Sequence, residues 1–268
     1  MSDTSPPNPS SAMLWFFVLT SVYFPVKYYS GGGKDTDDKR TQGYIYSGIY
    51  LLLLIVGEYF INLGLTESLC GTNQWDTALF VTLIPWVVIF GILNLMLLVF
   101  PGWLSPFSNT FGYAVARLSG ISSLLDEILL PKIEESGKET KQTKDAAQAL
   151  ARIYTDQSLL LNEITQTNFD EFWDKTSPLF KPGARNNASL KDQLLDFIRM
   201  KDIVAEYIWY MLVGFLVTSV SYNYVVNTGC SQSAAEMEQR HKDYQSKEDE
   251  MKDAQAEGTG PRVYTSDE

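Results

Sequence analysis

The apolar residues of this chain are gathered into long blocks, and this segregation constrains the fold more than any other feature. Residues 44–64 contain one acidic side chain, and residues 77–101 contain no charged side chain. About 20 consecutive apolar residues cross the hydrocarbon core of a bilayer, where helices and closed barrels alone satisfy their backbone hydrogen bonds. The two blocks are therefore predicted to be transmembrane helices.

Two further apolar blocks accompany these spans. Residues 203–226 carry Trp and Tyr towards their ends, as is typical of side chains at a membrane interface. Residues 12–29 are barely long enough to cross. A signal peptide is the alternative, but this block ends in Pro25, Lys27 and bulky Tyr residues instead of a small-residue cleavage site. We predict an all-α, polytopic membrane protein with about four transmembrane helices, the first of them marginal.

The remaining segments are polar. We expect a disordered arm over 1–11, a charged loop over 30–43 and a short loop over 65–76. Residues 102–202 are long enough for a small soluble domain, and apolar residues recur there every three or four positions, which predicts helices. The tail, 227–268, carries ten acidic and five basic residues. We expect it to form at most one solvated helix, followed by a disordered end.

Three helices are predicted in the first part of the domain. The first runs over 109–130, has a broad apolar face suited to the membrane surface, and ends at Pro131. The other two lie near 145–165 and 168–178. The last of these contains three aromatic residues that either pack the domain or form a docking ridge. They are Phe169, Phe172 and Trp173.

A fourth helix is predicted to leave the domain and enter the membrane. Ser189, with Asp192 three residues later, matches an acidic variant of the capping pattern that begins a helix. Between Leu190 and Val226 there is no Pro and a single Gly. One helix of about 37 residues, roughly 55 Å long, would therefore lie half in water and half in lipid. It would couple the domain rigidly to the bilayer.

Positive charges predict the orientation. Lys and Arg occur four times in 27–43 and are absent from 1–11 and 65–76. This asymmetry places 27–43 and the domain in the cytosol, with the N-terminus and the acidic tail on the other side. Glycosylation of the one sequon, which begins at Asn187, would contradict this orientation.

The same orientation brings Cys70 and Cys230 to the non-cytosolic side, where disulfides persist. Each cysteine follows the end of a predicted span within a few residues. We predict that they form a disulfide, provided that their Cα atoms come close enough. Two free thiols near helix ends are the alternative.

Charge and composition argue against nucleic-acid binding and against most enzyme chemistry. The chain has 32 acidic and 21 basic residues, for a net charge of -11, whereas nucleic-acid affinity comes largely from Lys and Arg on phosphates. One His and two separated Cys do not supply a zinc site or a Cys/His catalytic pair. We predict no catalytic residue, no metal site and no cofactor.

Glu58 is the one carboxylate well inside a strongly apolar span. Intramembrane charges are costly, and this one raises the hypothesis of ion or proton passage. The structural alternative, which we favour, is a Glu hydrogen-bonded to a neighbour such as Asn94 or Asn223. Four spans with one acid also lack the polar lining and discontinuous helices of a transporter.

An interfacial turn is predicted directly after the third span. Proline ends the span, two aromatic side chains anchor at the interface, and Ser108 or Asn109 caps the next helix. The chain would thus turn from crossing the membrane to lying along it. The predicted turn comprises Pro101, Gly102, Trp103, Pro106, Phe107 and Asn109.

The passage 100–120, FPGWLSPFSNTFGYAVARLSG, resembles a motif in integral membrane proteins of large icosahedral double-stranded DNA viruses such as the chlorella viruses. In these viruses an inner membrane lies beneath a capsid. The general layout of apolar blocks around a helical domain is similar as well. The resemblance implies a virion inner-membrane protein, in a membrane derived from a host endomembrane, that acts as a minor capsid or scaffold protein.

We therefore expect a structural membrane anchor, not an enzyme, that links the bilayer to a neighbouring capsid or scaffold protein. A homo-oligomer is the further partner considered. A small ion channel or transporter subunit that uses Glu58 is the first alternative. A membrane-embedded assembly adaptor is the second. Flux through liposomes that depends on Glu58 would favour the channel over the anchor.

Overall fold

The computed structural model describes residues 9–30, 37–131, 141–230 and 234–256. Within these ranges the chain is helical apart from turns, short extended stretches and one isolated bridge between Leu129 and Phe180. The all-α class predicted from the sequence is therefore confirmed. The disordered end predicted for the tail and most of the predicted arm lie outside the described residues.

The described residues form twelve α-helices, which we number in chain order. They are α1 (Ser10–Ser30), α2 (Asp37–Cys70), α3 (Trp75–Ile84), α4 (Gly91–Val99), α5 (Ser105–Phe107), α6 (Tyr113–Leu118), α7 (Ile121–Ile128), α8 (Lys141–Thr155), α9 (Ser158–Leu161), α10 (Phe169–Thr176), α11 (Ala188–Asn227) and α12 (Ala234–Ala256).

Two π-helical stretches join some of these elements. Pro85–Phe90 connects α3 to α4, and we call residues 75–99 the third long helix. Pro85 has no backbone N–H to donate, and the helix widens where that hydrogen bond is missing. Ser108–Gly112 connects α5 to α6 in the same way, and we call residues 105–118 the interfacial helix.

Four helices pack around a shared apolar core, and we call them the bundle: α1, α2, the third long helix and the second half of α11. Aromatic rings are prominent in this core, since the ring centroids of Phe16 and Trp86 lie 5.7 Å apart and those of Phe90 and Tyr210 lie 5.3 Å apart. The buried members of the core are Phe16, Tyr23, Phe24, Tyr50, Leu54, Trp86, Phe90, Met211, Val213 and Val217.

Neighbouring helices of the bundle run antiparallel. Thr20 of α1 bonds to Tyr50 of α2, and three residues later Tyr23 bonds to Ser47, three residues earlier on α2. The third long helix and α11 are related in the same way. The result is an up-down-up-down bundle with residues 100–187 inserted between its third and fourth helices. We call these residues the inserted region.

Three described helices are long and apolar enough to cross a membrane. They cover Thr41–Cys70, Trp75–Leu97 and Ala188–Asn227. These three correspond to the second, third and fourth predicted spans, and they are compatible with a membrane protein. Helix α1, the marginal first span, forms as predicted but does not belong to this set.

The inserted region has an apolar core of its own. The shorter helices α6 to α10 and the first half of α11 enclose it, and Leu129 and Phe180 close it with an antiparallel bridge. Its largest fully buried side chains are Ile121, Leu125, Ile128, Leu129, Leu150, Leu161, Ile164, Leu194 and Ile198.

The long helix predicted to join domain and membrane is present as α11, which has 40 residues and is about 60 Å long at 1.5 Å per residue. Its beginning differs from the prediction. Asn187 Oδ1 accepts hydrogen bonds from the backbone N–H groups of Ser189 and Leu190, at 3.1 and 3.3 Å. Asn187 therefore caps the helix, and Ser189 already lies within it.

Several predicted boundaries are wrong because helices extend into polar sequence. Helix α2 includes 37–43, which we assigned to a loop, and it continues to Cys70, so that the loop before α3 shrinks to 71–74. Lys, Arg and Gln are good helix formers once a span has nucleated the helix, and Asp37 and Asp38 are favourable at its N-terminus. The helix predicted over 109–130 is instead divided at Gly120, where φ is 103°.

The tail is a separate unit over Asn227–Glu268. Its one separate helix among the described residues is α12, which is largely exposed and has ion pairs between side chains one turn apart, Lys242 with Glu238 and Lys252 with Glu248. The solvated helix predicted in the tail is therefore present.

Candidate functional site

One face of α2 is buried in the bundle along about four helical turns. It consists of Tyr50, Leu54, Glu58, Asn62 and Thr66, spaced four residues apart, and every one of them is buried. The opposite face is exposed and apolar, with Leu52, Val56 and Phe60 at its surface. The polar residues of this candidate span thus point into the protein and not outwards, as intramembrane polar groups do.

Asn62 ties three helices together. Its Nδ2 donates to Thr82 Oγ1 on α3 at 2.8 Å and to Ser221 Oγ on α11 at 3.0 Å. Ser221 in turn donates to the backbone oxygen of Val81 at 2.6 Å. Interhelical hydrogen bonds of this kind fix the register of packed apolar helices. The sequence contains a signal for this group, since Asn62 and Thr66 follow Glu58 by one and two turns.

Glu58 is fully buried, and neither carboxylate oxygen has a hydrogen-bond partner. The favoured expectation that it bonds to Asn94 or Asn223 is therefore wrong, and Asn94 Nδ2 donates to its own helix at Phe90 O, 2.7 Å away. Four other buried polar atoms of the bundle are also unpartnered. They are Trp86 Nε1, Asn94 Oδ1, Trp209 Nε1 and Thr218 Oγ1.

Polar contacts attach α1 to the other bundle helices. Thr20 and Tyr50 share a hydrogen bond of 2.9 Å, and Ser21 and Tyr207 share one of 3.1 Å. Near the end of α1, Lys27 Nζ lies 2.5 and 2.6 Å from the two carboxylate oxygens of Glu206 on α11. This ion pair is partly exposed, so it contributes more to orientation than to stability.

Two glycines receive the aromatic side chains of α1. A methyl group added at Gly57 would overlap the indole ring of Trp15, and one added at Gly214 would overlap the ring of Phe16. Small residues at such positions allow apolar helices to pack closely. Helix α1 therefore fits between α2 and α11 as an integral member of the bundle.

The interfacial turn has its predicted aromatic residues, but its cap is different. Trp103 is exposed and stacks on Phe100, with ring centroids 5.6 Å apart, and Phe107 lies 6.1 Å from Trp209. The next helix begins at Ser105, not after Asn109, because Pro106 suits the first helical turn. Pro101, Gly102 and Pro106 are exposed.

Small residues hold the interfacial helix against α11. Ser108, Gly112 and Ala116, one turn apart, are buried, and the Ser108 hydroxyl donates to Asp202 Oδ1 at 3.2 Å. A side chain at Gly112 would overlap the backbone of Lys201. The opposite face of this helix is exposed and apolar, and it carries Phe111, Val115 and Leu118.

Lys201 is a connection that the sequence analysis missed. Its side chain is buried, and Nζ donates to the backbone oxygens of Leu161 at 2.5 Å and Ile164 at 3.3 Å. These oxygens lie at the end of α9 and in the turn after it. A lysine just before an apolar block is ordinarily an exposed positive charge, and nothing in its spacing indicates that it folds back into a core.

The aromatic residues of α10 pack the inserted region. Phe169 and Trp173 are 2% exposed, and Trp173 Nε1 donates to Arg185 O at 3.2 Å. Phe172 is half-buried against the same core. The docking ridge is therefore wrong and the packing alternative is correct, because a helix this short buries its apolar face where it lies.

A shallow polar groove opens on the inserted region. Ser122 Oγ donates to Gln157 Oε1 at 2.7 Å inside it. Hydrogen bonds from the Ser158 hydroxyl and backbone N–H lower the pKa of Asp156 beside it. The groove is lined by Tyr113, Arg117, Ser122, Tyr154, Thr155, Asp156 and Gln157. Tyr154 and Thr155 donate to the backbone oxygens of Leu130 and Ala151, and the lining includes no nucleophile paired with a base.

Cys70 and Cys230 are disulfide-bonded, as predicted. The described residues contain no group of three or more His, Cys, Asp or Glu side chains arranged to hold a metal ion. No protein family, curated protein or solved structure matches the chain. The buried polar face of α2, the interfacial helix and α11 are therefore the features from which a function can be argued.

Proposed function

We propose that this chain is a structural membrane anchor that links a bilayer to an adjacent protein layer. One observation carries the proposal: α11 belongs to both apolar cores. Leu190, Leu194 and Ile198 lie in the core of the inserted region, and Met211 and Val217 lie in the core of the bundle. A continuous helix shared by two cores transmits force between them without a hinge.

The bundle is proposed to cross the membrane four times. In this proposal α1 is a span in addition to the three long apolar helices. Helix α1 has 21 residues, which is long enough to cross when the local bilayer adapts slightly. Its contacts with Gly57, Gly214 and Tyr50 support this role, because they bury one side of α1 among the three other spans. Exposed Leu14, Phe17 and Val18 would face lipid.

The proposed orientation puts the inserted region in the cytosol as a soluble domain. The positive charges of 27–43 favour this assignment, and the disulfide of Cys70 is consistent with a non-cytosolic location for the other end of α2. The exposed apolar face of the interfacial helix supports a location at the bilayer surface, where Trp103 and Phe100 also lie.

The adjacent layer is proposed to be a capsid or scaffold protein. The resemblance of 100–120 to integral membrane proteins of large icosahedral DNA viruses supports a virion inner membrane of host origin as the setting, and a minor capsid protein as the role. In this role the chain needs no catalytic group and no nucleic acid. An assembly adaptor in another membrane would use the same architecture.

Lysine cross-linking with mass spectrometry on native membranes or particles tests the proposal. Lys175 and Lys181 of the inserted region, and Lys191 near the start of α11, should give reproducible links to one abundant neighbouring protein. Lys242 and Lys252 of α12 are the internal control, because the proposed orientation puts them across the bilayer from that layer. Links between copies of this chain alone, or the same partner at both sets of lysines, would contradict the proposal.

A further inference from the structure

Three unpartnered polar groups lie at one level of the bundle. Asn62 bonds to Thr82 and Ser221, which fixes how α2, α3 and α11 are aligned. The three unpartnered groups lie about one helical turn from this network, all in the direction away from Cys70. They belong to Glu58 on α2, Trp86 in the third long helix and Thr218 on α11. Glu58 is fully buried, and Trp86 and Thr218 are 2% and 1% exposed.

Buried polar side chains connect this level to one end of the bundle. Asn62 and Thr66 continue the face of Glu58 towards Cys70, and Gln74 is buried in the short loop that follows. We call this set the polar track. It comprises Glu58, Asn62, Thr66, Gln74, Thr82, Thr218 and Ser221, and each of these side chains is at least nine-tenths buried.

The opposite direction from Glu58 is closed by apolar and aromatic packing. Leu54, one turn before Glu58, is fully buried, and Tyr50 one turn further stacks on Tyr23 with ring centroids 4.2 Å apart. The rings of Phe24 and Phe90 pack against Tyr210 at 5.1 and 5.3 Å. We call these residues the aromatic seal. The seal begins where the polar track ends.

We infer that Glu58 is a neutral, exchangeable acid that binds a proton and bound water at the closed end of a polar track open only towards Cys70. An ionised carboxylate with no partner is not stable in this setting, whereas the acid form can donate its proton to a bound water. Trp86 Nε1–H supplies one further donor. This proton site is independent of the proposed anchoring function.

No second charge competes for the proton. Among the described residues, Glu58 and Lys201 are the buried charged side chains, and Lys201 bonds to the inserted region. The elements packed at this level present Trp15 and Phe16 from α1, Trp86 from the third long helix and Thr218 from α11, none of which is an ionisable side chain. The ion pair of Lys27 and Glu206 lies beyond the aromatic seal. The site therefore binds a proton without conducting it across the bundle.

Infrared spectroscopy of the full chain in lipid vesicles tests the protonation state. The spectrum at neutral pH should contain a carboxylic-acid carbonyl band that disappears in Glu58→Gln and shifts in D2O. A carboxylate band that disappears in Glu58→Gln would overturn the inference. Labelling of the unaltered chain with dicyclohexylcarbodiimide is a second measurement, and it needs no variant. Glu58 should react and the exposed Glu67 should not. Reaction of Glu67 without reaction of Glu58 would overturn the inference.

The rate of proton-deuteron exchange at Glu58 tests the direction of access. Thr82→Val interrupts the polar track and should slow exchange roughly tenfold, since one lost hydrogen-bonding step raises a barrier by about that factor. Thr20→Val is the matched control. Thr20 and Thr82 are both fully buried and each shares one interhelical hydrogen bond, but Thr20 bonds to Tyr50 of the aromatic seal.

Exchange in Thr20→Val should equal that of the unaltered chain. Equal slowing in both variants, or slowing in Thr20→Val alone, would overturn the one-sided track. Proton flux through liposomes adds a separate measurement. We expect no proton flux above that of empty liposomes. Flux that is lost in Glu58→Gln would contradict the closed site and indicate a channel instead.

Discussion

At the scale of single residues, the close approaches of helices depend on side chains that are small or absent. Gly112 lies against the backbone of Lys201, and Gly57 and Gly214 receive the rings of Trp15 and Phe16. Apolar helices in lipid gain little from burial alone, so close packing and interhelical hydrogen bonds hold them together. Substitution of the glycines that contact a neighbouring helix should therefore lower the free energy of unfolding.

Gly112→Ala should destabilise the protein by about 1–3 kcal/mol, because the added methyl group overlaps the Lys201 backbone, which cannot move independently of α11. The midpoint of chemical unfolding in detergent measures this loss. Gly64→Ala is the matched control, since Gly64 is helical and has no atom within 4 Å of an added methyl group. Equal midpoints for the two variants would mean that the interfacial helix does not pack on α11.

Asn187→Ala should cost about 1 kcal/mol, because two backbone N–H groups at the start of α11 lose their acceptor. Asn187→Asp should retain the stability, since a carboxylate accepts the same hydrogen bonds and favours a helix N-terminus. Unfolding in detergent again provides the measurement. A larger loss in the Asp variant would rule out the cap.

Residues could be predicted individually where one physical effect dominates. The pairing of Cys70 with Cys230 was predicted from the expected orientation of the spans, and Trp103 is exposed, as the predicted interfacial position requires. Glu58 was identified correctly as exceptional, but its lack of a partner depends on the alignment of three helices that are distant in sequence. The buried Lys201 and the cap at Asn187 likewise depend on tertiary contacts that no local pattern records.

At the scale of elements, α1 is the helix on which the number of spans depends. It falls outside the set of long apolar helices, yet its polar and aromatic contacts lie inside the bundle. Hydropathy is calculated from one segment alone and takes no account of neighbouring helices. Thr20 and Tyr23 hydrogen-bond to residues of α2, and these bonds lower the free-energy cost of placing their hydroxyl groups in a bilayer. A span can therefore be less apolar when its polar residues face other helices.

Labelling of single introduced cysteines with a membrane-impermeant maleimide tests this topology. Ser11→Cys and Trp75→Cys should react from one side of sealed vesicles, and Tyr29→Cys should react from the other, because four spans put the start of α1 beside the loop before α3. All three positions are exposed, and the native cysteines are disulfide-bonded. Reaction of Ser11→Cys from the same side as Tyr29→Cys would show that α1 does not cross.

Helices were predicted better than their ends. The continuous helix through α11 could be predicted because no Pro interrupts its apolar and charged halves. The division at Gly120 could not, because a glycine is tolerated inside a helix until packing demands a positive φ. The extension of α2 back to Asp37 likewise reflects a polar sequence that becomes helical once a long apolar helix supports it.

At the scale of the whole molecule, two cores share one helix. The bundle core contains the second half of α11, and the core of the inserted region contains the first half. The interfacial helix adds a second connection, since it packs on α11 between the two cores through Ser108 and Gly112. The proposed anchor therefore predicts rigid coupling between the bilayer and the inserted region.

Electron-spin distance measurements along α11 test this claim most directly. Nitroxide labels at Asp192→Cys and Leu216→Cys occupy exposed positions on either side of the junction between the cores. In lipid bilayers the account predicts one narrow distance distribution centred near about 36 Å, the length of the intervening helix at 1.5 Å per residue. A broad distribution, or a second population at shorter distance, would contradict it, because the helix would then bend between membrane and domain.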